Sequence, residues 1–373
     1  MTEARLLRGH KETATCCVAS GHRPGLVATS GEDGCICWFD MRCKDVQLVM
    51  NVSEEPISSL CFNSGNEDII YVSSGKEVKC FDVHMLASNT WRALENYSYN
   101  KEEINQVACN SKSSFLASAD DGGEVKIIDI HQNSLFKTLR AGHSSICSCV
   151  QFVPWRPWEV ISGGLDSKLV LWDFSKGQSS KVFNFGLPDI NGSGNSGQCF
   201  NPAFVHAMTV PDVDMLGRLE KICVVARDDG VIDVINIESE PATTRSRSSS
   251  KPRKGNQSVS KGSLPADNGD QNGRKVLHLD YSMGGHTAAA SCVAFSMFGE
   301  KGKFIISGGN DKSVKVWDSS RCLHSGDNNS NNDLLHLSID LRKKVNWLCT
   351  TPTESENLVV CDTSKVVKAY SIS

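Results

Sequence analysis

Several features that mark membrane, secreted or zinc-binding proteins are missing from this chain of 373 residues. It has no uninterrupted apolar run of about 18 residues, the length that a membrane-spanning helix needs. Its first residues, MTEARLLRGHKE, lack the apolar core of a secretory signal. Among its sixteen cysteines no CxxC pair occurs, so the spacing of zinc knuckles is not met. We therefore expect reduced thiols, no metal, no membrane contact and a location in the cytoplasm, the nucleus or both.

Neither sign of charge dominates, and aromatic residues are few. The formal net charge is -4, with 22% charged, 39% hydrophobic and 7% aromatic residues. A protein that binds nucleic acid along its whole surface would be strongly basic. The balance therefore argues against direct nucleic-acid binding and indicates an ordinary globular chain with enough apolar material for a large core.

One local pattern recurs seven times. A Gly-His pair precedes an apolar segment, and a small-residue segment, a turn with Asp and a segment ending in aromatic-Asp follow. The three clearest copies end at Asp40, Asp173 and Asp318, and weaker copies end at Asp82, Asp129, Asn236 and Ser371. The first three spacings are 42, 47 and 44 residues, which is typical of repeats that each form one propeller blade.

The repeats are predicted to be strands that close into a ring. In VKVWD, apolar and polar residues alternate with a period of two, as strands require. A four-stranded blade cannot bury both of its faces alone, so the ring has to close. The last copy has no room for a fourth strand, whereas residues 4–8 form a strand whose own repeat is missing. We therefore predict one all-β domain over 1–373, a seven-bladed propeller whose N-terminal strand closes the last blade.

This pattern resembles the WD-repeat β-propeller family. The resemblance implies buried tetrads of His, Ser or Thr, Asp and Trp that are bonded to one another within a blade. Two complete tetrads are expected, and they comprise His143, Ser162, Asp166 and Trp172 in one blade and His286, Ser307, Asp311 and Trp317 in another. A third set, His10, Thr29 and Asp33, has Phe39 in place of Trp.

The same residue types could also be interpreted as a hydrolase triad. The trio recurs in three repeats, which an active site would not do, and no GxSxG motif is present. We therefore expect no catalytic residue, no cofactor and no enzymatic activity. The six cysteines in first strands are expected to be small buried residues, and they are Cys16, Cys61, Cys109, Cys149, Cys292 and Cys349.

Three insertions interrupt the repeats. Residues 187–199 are rich in Gly, Asn and Ser and are expected to be a flexible loop on the top face, which carries the His loops. Residues 239–273 in blade five are expected to be disordered, and 320–332 in blade six flexible, both on the bottom face. The basic and Ser-rich stretch 245–261 fits a nuclear localisation signal, a phosphorylation-controlled patch or a solubilising loop.

The run VATSGEDGCICWFDMR at 27–42 resembles the DWD box of this family, because it ends in Phe39, Asp40 and Arg42. In the family this box marks propellers that dock on damaged-DNA-binding protein 1, the adaptor of cullin-4 RING ubiquitin ligases. The resemblance therefore implies an adaptor contact on the bottom face. The alternative is that Arg42 only pairs with the neighbouring Asp.

Longer runs, such as HSSICSCVQFVPWRPWEVISGGLDSKLVLW, resemble one branch of the family more closely than a propeller requires. The resemblance implies a non-enzymatic substrate receptor of the ligase, which we expect to be monomeric. A general scaffold of a chromatin or signalling complex, with no ligase link, is the alternative. The top-face candidates for partner binding are Glu103, Asn105, Asn346 and Trp347, although Trp347 would also fit as packing between blades.

Overall fold

The computed structural model describes residues 4–83, 92–186, 199–238, 276–324 and 334–373. Within these ranges the strands form seven antiparallel sheets of four strands each. This confirms the predicted seven-bladed all-β propeller. The other residues, which include 187–198, 239–275 and 325–333, lie outside the described part.

The first three blades each consist of four consecutive strands. Blade one contains β2 (Ala14–Ala19), β3 (Leu26–Gly31), β4 (Cys35–Asp40) and β5 (Val46–Asn51). Blade two contains β6 (Ile57–Asn63), β7 (Asn66–Ser74), β8 (Glu77–Asp82) and β9 (Glu95–Tyr97). Blade three contains β10 (Ile104–Cys109), β11 (Phe115–Asp120), β12 (Val125–Asp129) and β13 (Ser134–Leu139).

The next three blades repeat this order. Blade four contains β14 (Cys147–Phe152), β15 (Glu159–Gly164), β16 (Lys168–Asp173) and β17 (Gln178–Asn184). Blade five contains β18 (Val205–Thr209), β19 (Ile222–Arg227), β20 (Ile232–Asn236) and β21 (Val276–Leu279). Blade six contains β22 (Ala290–Phe295), β23 (Phe304–Gly309), β24 (Ser313–Asp318) and β25 (Leu335–Asp340), with a short helix α1 (Ser319–His324) after β24.

Blade seven joins the two ends of the chain. It contains β26 (Val345–Thr350), β27 (Leu358–Asp362), β28 (Val366–Tyr370) and, as its outer strand, β1 (Arg5–Arg8). Four residue pairs connect β1 and β28, from Arg5 with Ala369 to Arg8 with Val366. The predicted closure of the last blade by the N-terminal strand is therefore confirmed.

Burial differs between inner and outer strands because every blade packs between two others. The inner strand β24 is buried on both faces, whereas the outer strand β25 alternates between covered and exposed residues. The apolar clusters lie between neighbouring blades. One such cluster joins Phe152 and Trp172 of blade four to Ile127 of blade three. Each blade is therefore stabilised mainly by its neighbours.

The first-strand cysteines are buried or half-buried thiols, as predicted. Burial raises the pKa of the Cys149 and Cys292 thiols to about 12, which keeps both protonated. All the cysteines whose side chains the structure describes are free thiols. In the same part of the chain, no group of three or more His, Cys, Asp or Glu side chains could hold a metal ion.

The three predicted insertions fall largely in parts of the chain that the structure does not describe. The predicted loop 187–199 and the predicted disordered segment 239–273 lie almost wholly outside the described residues, so both remain predictions. The predicted flexible insertion 320–332 begins within helix α1 (Ser319–His324), and the rest of it is not described.

No helix in the described ranges is long and apolar enough to cross a membrane.

Candidate protein-interaction surfaces

Both predicted complete tetrads form as buried hydrogen-bonded chains. In blade four, His143 Nδ1 lies 2.9 Å from Asp166 Oδ1, and His143 Nε2 lies 2.8 Å from Ser162 Oγ. The Trp172 indole donates to the same Ser162 hydroxyl at 2.8 Å. Ser162 is fully buried, and its hydroxyl and both imidazole nitrogens of His143 are engaged within the blade, so these groups stabilise the blade.

The tetrad of blade six has the same connections. His286 bonds Asp311 at 3.1 Å and Ser307 at 2.9 Å, and Trp317 donates to Ser307 at 3.2 Å. Burial alone would raise the pKa of Asp311, but the hydrogen bond and charge of His286 outweigh it and lower the pKa to about 2. This carboxylate therefore stays ionised at neutral pH and fixes the tautomer of the histidine.

Two other blades use variants of the tetrad. In blade one, His10 bonds Thr29 at 2.8 Å and Asp33 at 3.1 Å, while the buried ring of Phe39 fills the place of Trp. In blade three, an asparagine replaces the histidine. The set is completed by Asn100, which donates to Asp120 at 2.9 Å and accepts from Ser118 at 2.8 Å. Asn100 was not identified from the sequence. It lies 18 residues before Ser118, whereas His143 lies 19 residues before Ser162, so the spacing nearly matches.

A belt of hydrogen bonds joins the blades near the top of the central channel. In six blades, the second residue of the innermost strand donates to the backbone carbonyl that begins the innermost strand of the next blade. The donors are Thr15, Ser58, Asn105, Ser148, Ser291 and Asn346. At the same position in blade five, His206 pairs instead with Asp228 at 2.8 Å.

This belt includes two of the predicted partner-binding residues. Asn105 Nδ2 donates to Cys147 O at 3.1 Å and to Asp121 at 2.8 Å. Asn346 Nδ2 donates to Ala14 O at 2.9 Å and to Asp362 O at 3.2 Å. Both amide nitrogens are therefore engaged within the ring, and the role of these residues in partner binding stays a prediction.

Trp347, the third top-face candidate, lies in the innermost strand of blade seven and is half-buried. It packs against the clusters between blades six and seven, seven and one, and one and two. The residues at its position in the other blades are smaller, and they are Cys16, Ser59, Gln106, Cys149, Ala207 and Cys292.

Glu103, the fourth top-face candidate, is exposed on the loop before β10. Its backbone carbonyl accepts a hydrogen bond from Asp121 N, which ties this loop to the following turn of blade three. The carboxylate of Glu103 forms no ion pair within the described ranges, so it remains open to a partner.

On the bottom face, Asp40 and Arg42 form one hydrogen-bonded unit, in which Asp40 is half-buried and Arg42 is exposed. Arg42 Nε and Nη2 donate to the two oxygens of Asp40 at 2.9 and 2.6 Å, and Arg42 N donates to the same carboxylate. The hydrogen bonds from Arg42 lower the pKa of Asp40. The Arg42 side chain nevertheless remains 81% exposed. Phe39 is only 2% exposed, so it lies behind this surface, and its role in adaptor binding stays a prediction.

Comparison with known proteins identifies the repeats. Three segments, 1–40, 133–173 and 278–318, match the family described as WD domain, G-beta repeat. The chain is a seven-bladed β-propeller with WD repeats in these three segments. It is similar in fold to the WD40 propeller domain of Doa1, with a TM-score of 0.67, 15% identity and coverage of 100% of this chain and 98% of that one.

Two relatives from Dictyostelium discoideum show how far the similarity extends. A WD repeat-containing protein 53 homolog is 25% identical over 99% of this chain and 94% of its own length. A WD repeat domain-containing protein 83 homolog is 26% identical over 40% of this chain and 44% of its own length. The longer runs quoted above suggested WD repeat-containing protein 53, and this comparison confirms the resemblance. A WD-repeat propeller is a scaffold for protein interactions.

Sequence reasoning also missed Arg5, which supports the Arg42 turn of this WD-repeat propeller from strand β1. The Arg5 guanidinium donates to Met41 O at 2.6 Å and to Cys43 O, the carbonyls on either side of Arg42. It also pairs with Glu356 of blade seven at 2.5 Å. The strand that closes the ring therefore holds the backbone that presents Arg42.

We expect the buried tetrad histidines to make the stability of the propeller fall in mild acid. Burial lowers the pKa of His10 and His143 below the ordinary value of 6.5. Below pH 6.5 these histidines are therefore protonated in the unfolded chain but still neutral in the folded chain. The free energy of unfolding falls by about 1.4 kcal/mol per pH unit per histidine until the folded-state pKa is reached. Urea unfolding at pH 7.5, 6.5 and 5.5 measures this slope.

A His143→Gln variant serves as the control, because it removes one titrating group and should make the slope shallower. An equal slope in the two proteins would contradict the assignment to His143. Asp311, whose pKa is about 2, stays ionised across this pH range and adds nothing to the slope.

Proposed function

We propose that this propeller is a substrate receptor of a cullin-4 RING E3 ubiquitin ligase and that it docks on damaged-DNA-binding protein 1 through Asp40 and Arg42. The observation that carries the proposal is the Arg42 guanidinium, which is fixed by two donations to Asp40 and still 81% exposed. A pre-organised exposed arginine loses little conformational freedom on binding, and arginine is the charged residue most enriched among interface hot spots.

The surroundings of this turn support a docking role. Arg42 Nη1 is not used by Asp40, so one edge of the guanidinium is free to donate to an adaptor carbonyl or carboxylate. Arg5 holds the carbonyls of Met41 and Cys43 from the neighbouring blade. Phe39 would contribute indirectly. It packs in the core cluster between blades seven and one and so supports strand β4, which ends at Asp40.

The ion pair alone does not distinguish docking from a structural role. In blade four Lys176 pairs with Asp173 at 2.7 Å, and in blade six Arg321 lies 3.6 Å from Asp318. A cation beside the Asp at the end of the third strand is therefore a recurrent feature of these turns. If Arg42 has only this role, the function becomes that of a general scaffold for a chromatin or signalling complex.

An Arg42→Ala variant should bind the purified adaptor on the order of 10- to 100-fold more weakly than the wild type, because a central charge-assisted contact is lost. Biolayer interferometry with immobilised damaged-DNA-binding protein 1 measures the change. Thermal stability should stay nearly constant, since Arg42 is exposed and substitutions at such sites cost at most about 0.5 kcal/mol.

The matched control is Lys176→Ala, which removes a cation from the equivalent turn of blade four. Its side chain is 71% exposed and its Asp partner is retained. This variant should bind the adaptor like the wild type. Equal binding of all three proteins, or no binding by the wild type, would remove the ligase link and leave the general scaffold.

A further inference from the structure

Five exposed cations lie together on the top face at blades six and seven. They occupy three loops, before β24, before β26 and before β28. The five are Lys312, Arg342, Lys343, Lys344 and Lys365. Their side chains form no ion pair or hydrogen bond with any residue in the described ranges. We call this group the basic rim.

Backbone hydrogen bonds place the three loops side by side. Leu341 N donates to Lys312 O at 2.7 Å, and Thr363 N donates to Lys344 O at 3.0 Å. The loop before β28 is joined in turn to blade one, where Ala14 N donates to Ser364 O at 3.1 Å. The cations are therefore held as neighbours on a rigid support, although like charges repel one another.

Few carboxylates offset this charge nearby. Asp311 is held by the His286 imidazole, and Asp362 is buried beside Lys368. Asp340, at the end of β25, is exposed and lies closest in sequence to the rim. Glu12, on the blade-one loop that is joined to the loop before β28, is also exposed. Two exposed carboxylates against five cations still leave an excess of positive charge at this edge of the ring.

The opposite half of the top face has the opposite sign. On the top loops of blades one to three that the structure describes, seven exposed carboxylates outnumber four exposed cations. The carboxylates are Glu12, Glu32, Glu54, Glu55, Glu102, Glu103 and Asp121, and the cations are Lys11, Lys76, Lys101 and Arg140. Within the described ranges only Glu102 forms an ion pair among these carboxylates, with Lys76 at 3.6 Å. A charged ligand that approaches the top face is therefore oriented by the difference in electrostatic potential between blades one to three and blades six and seven.

An apolar anchor lies beside the basic rim. Trp347 lies three residues after Lys344 in the same chain segment, in the innermost strand of blade seven, and is half-exposed. Interfaces gain most of their affinity from large aromatic groups surrounded by a polar rim. The pairing of Trp347 with five cations fits a peptide in which a large apolar side chain is flanked by carboxylates.

We propose that the basic rim and Trp347 bind an acidic segment of a target protein, with a large apolar residue of that segment against the indole. The acidic half of the face repels the same segment and so fixes its position over blades six and seven. As an account of what a ligase receptor recruits, this inference rests on the proposed function. Peptide binding itself is measured without the adaptor, so the two proposals can fail separately.

The test is fluorescence anisotropy with the full-length chain and a labelled peptide of about twelve residues, made of Glu and Asp around one central Leu. The Lys343→Glu/Lys344→Glu double variant should bind it at least about 10-fold more weakly than the wild type. A peptide with Ser in place of the central Leu should bind several-fold more weakly to the wild type. Affinity should fall as salt rises, because the rim is exposed.

The matched control is Lys112→Glu/Lys176→Glu, which makes the same change in net charge with two exposed lysines of the bottom face. It should bind the acidic peptide like the wild type. The rim double variant should still bind the adaptor, and Arg42→Ala should still bind the peptide.

Three results would overturn the proposal. The first is equal loss of peptide binding in the rim and control variants, which would indicate only the overall charge. The second is no preference for the Leu peptide over the Ser peptide. The third is tighter binding of a labelled oligothymidylate of similar length, which would assign the rim to nucleic acid.

Discussion

A Leu7→Ala variant is expected to lose about 2–5 kcal/mol of unfolding free energy, a large fraction of the stability of a typical domain. Leu7 lies in β1, is 2% exposed and packs in the cluster between blades seven and one, against residues such as Val27, Phe39 and Val367. The truncation creates a cavity at the seam where the ring closes. Urea unfolding followed by tryptophan fluorescence gives the change.

The neighbouring residue provides a matched control for this prediction. Leu6 is in the same strand, points to the other face and is 47% exposed. Leu6→Ala should therefore cost less than about 0.5 kcal/mol. A similar small cost for both variants would mean that β1 contributes little to stability and that the ring does not depend on its N-terminal strand.

Ring closure and the proposed adaptor docking share one residue in this propeller. Arg5 belongs to the closing strand β1 and holds the carbonyls on both sides of Arg42. A change that loosens β1 is therefore expected to disturb the Arg42 turn as well. For a variant of β1, both the adaptor affinity and the free energy of unfolding have to be measured, because either could account for weaker binding. Arg42→Ala avoids this coupling, because its own side chain is exposed.

The fold could be predicted because its determinants are periodic. Alternating strands, the Asp that ends the third strand in five of the seven blades and the unmatched N-terminal strand together define seven closed blades. The tetrads could be predicted for the same reason, since His143 and Ser162 recur with nearly constant spacing as His286 and Ser307. A buried polar group needs its partners, and so these residue types are kept together.

The contacts between blades could not be predicted in this way. Asn105 and Asn346 donate to backbone carbonyls of the next blade, and a carbonyl is present whatever residue carries it. The donors at this position include Thr, Ser and Asn, so the sequence carries no motif for the belt. Arg5 was missed for the same reason, because its acceptors are backbone atoms of a turn that lies 36 or more residues away.

The second large effect is expected at a glycine beside a tetrad. A Cβ added at Gly142 would lie 2.1 and 2.3 Å from two ring atoms of Trp172, far inside contact distance. Trp172 is buried and bonded to Ser162, so it cannot move away without breaking the tetrad. Gly142→Ala should therefore cost about 3 kcal/mol or more, at the upper end for overpacked cores. Thermal and urea unfolding measure the loss.

A second substitution shows whether the clash is with the indole. Phe39 fills the same place in blade one, so Trp172→Phe should be tolerated at a cost of about 1–2 kcal/mol, mainly from the lost donor. Because phenylalanine lacks the outer ring atoms that the new Cβ meets, the double variant should cost less than the sum of the two single changes. Gly217→Ala, where the added Cβ meets nothing within 4 Å, should change stability little. If the losses of unfolding free energy from Gly142→Ala and Trp172→Phe were strictly additive, the clash with the indole would not be the cause of the first loss. Gly142 would then be needed for its backbone conformation rather than for its fit against Trp172.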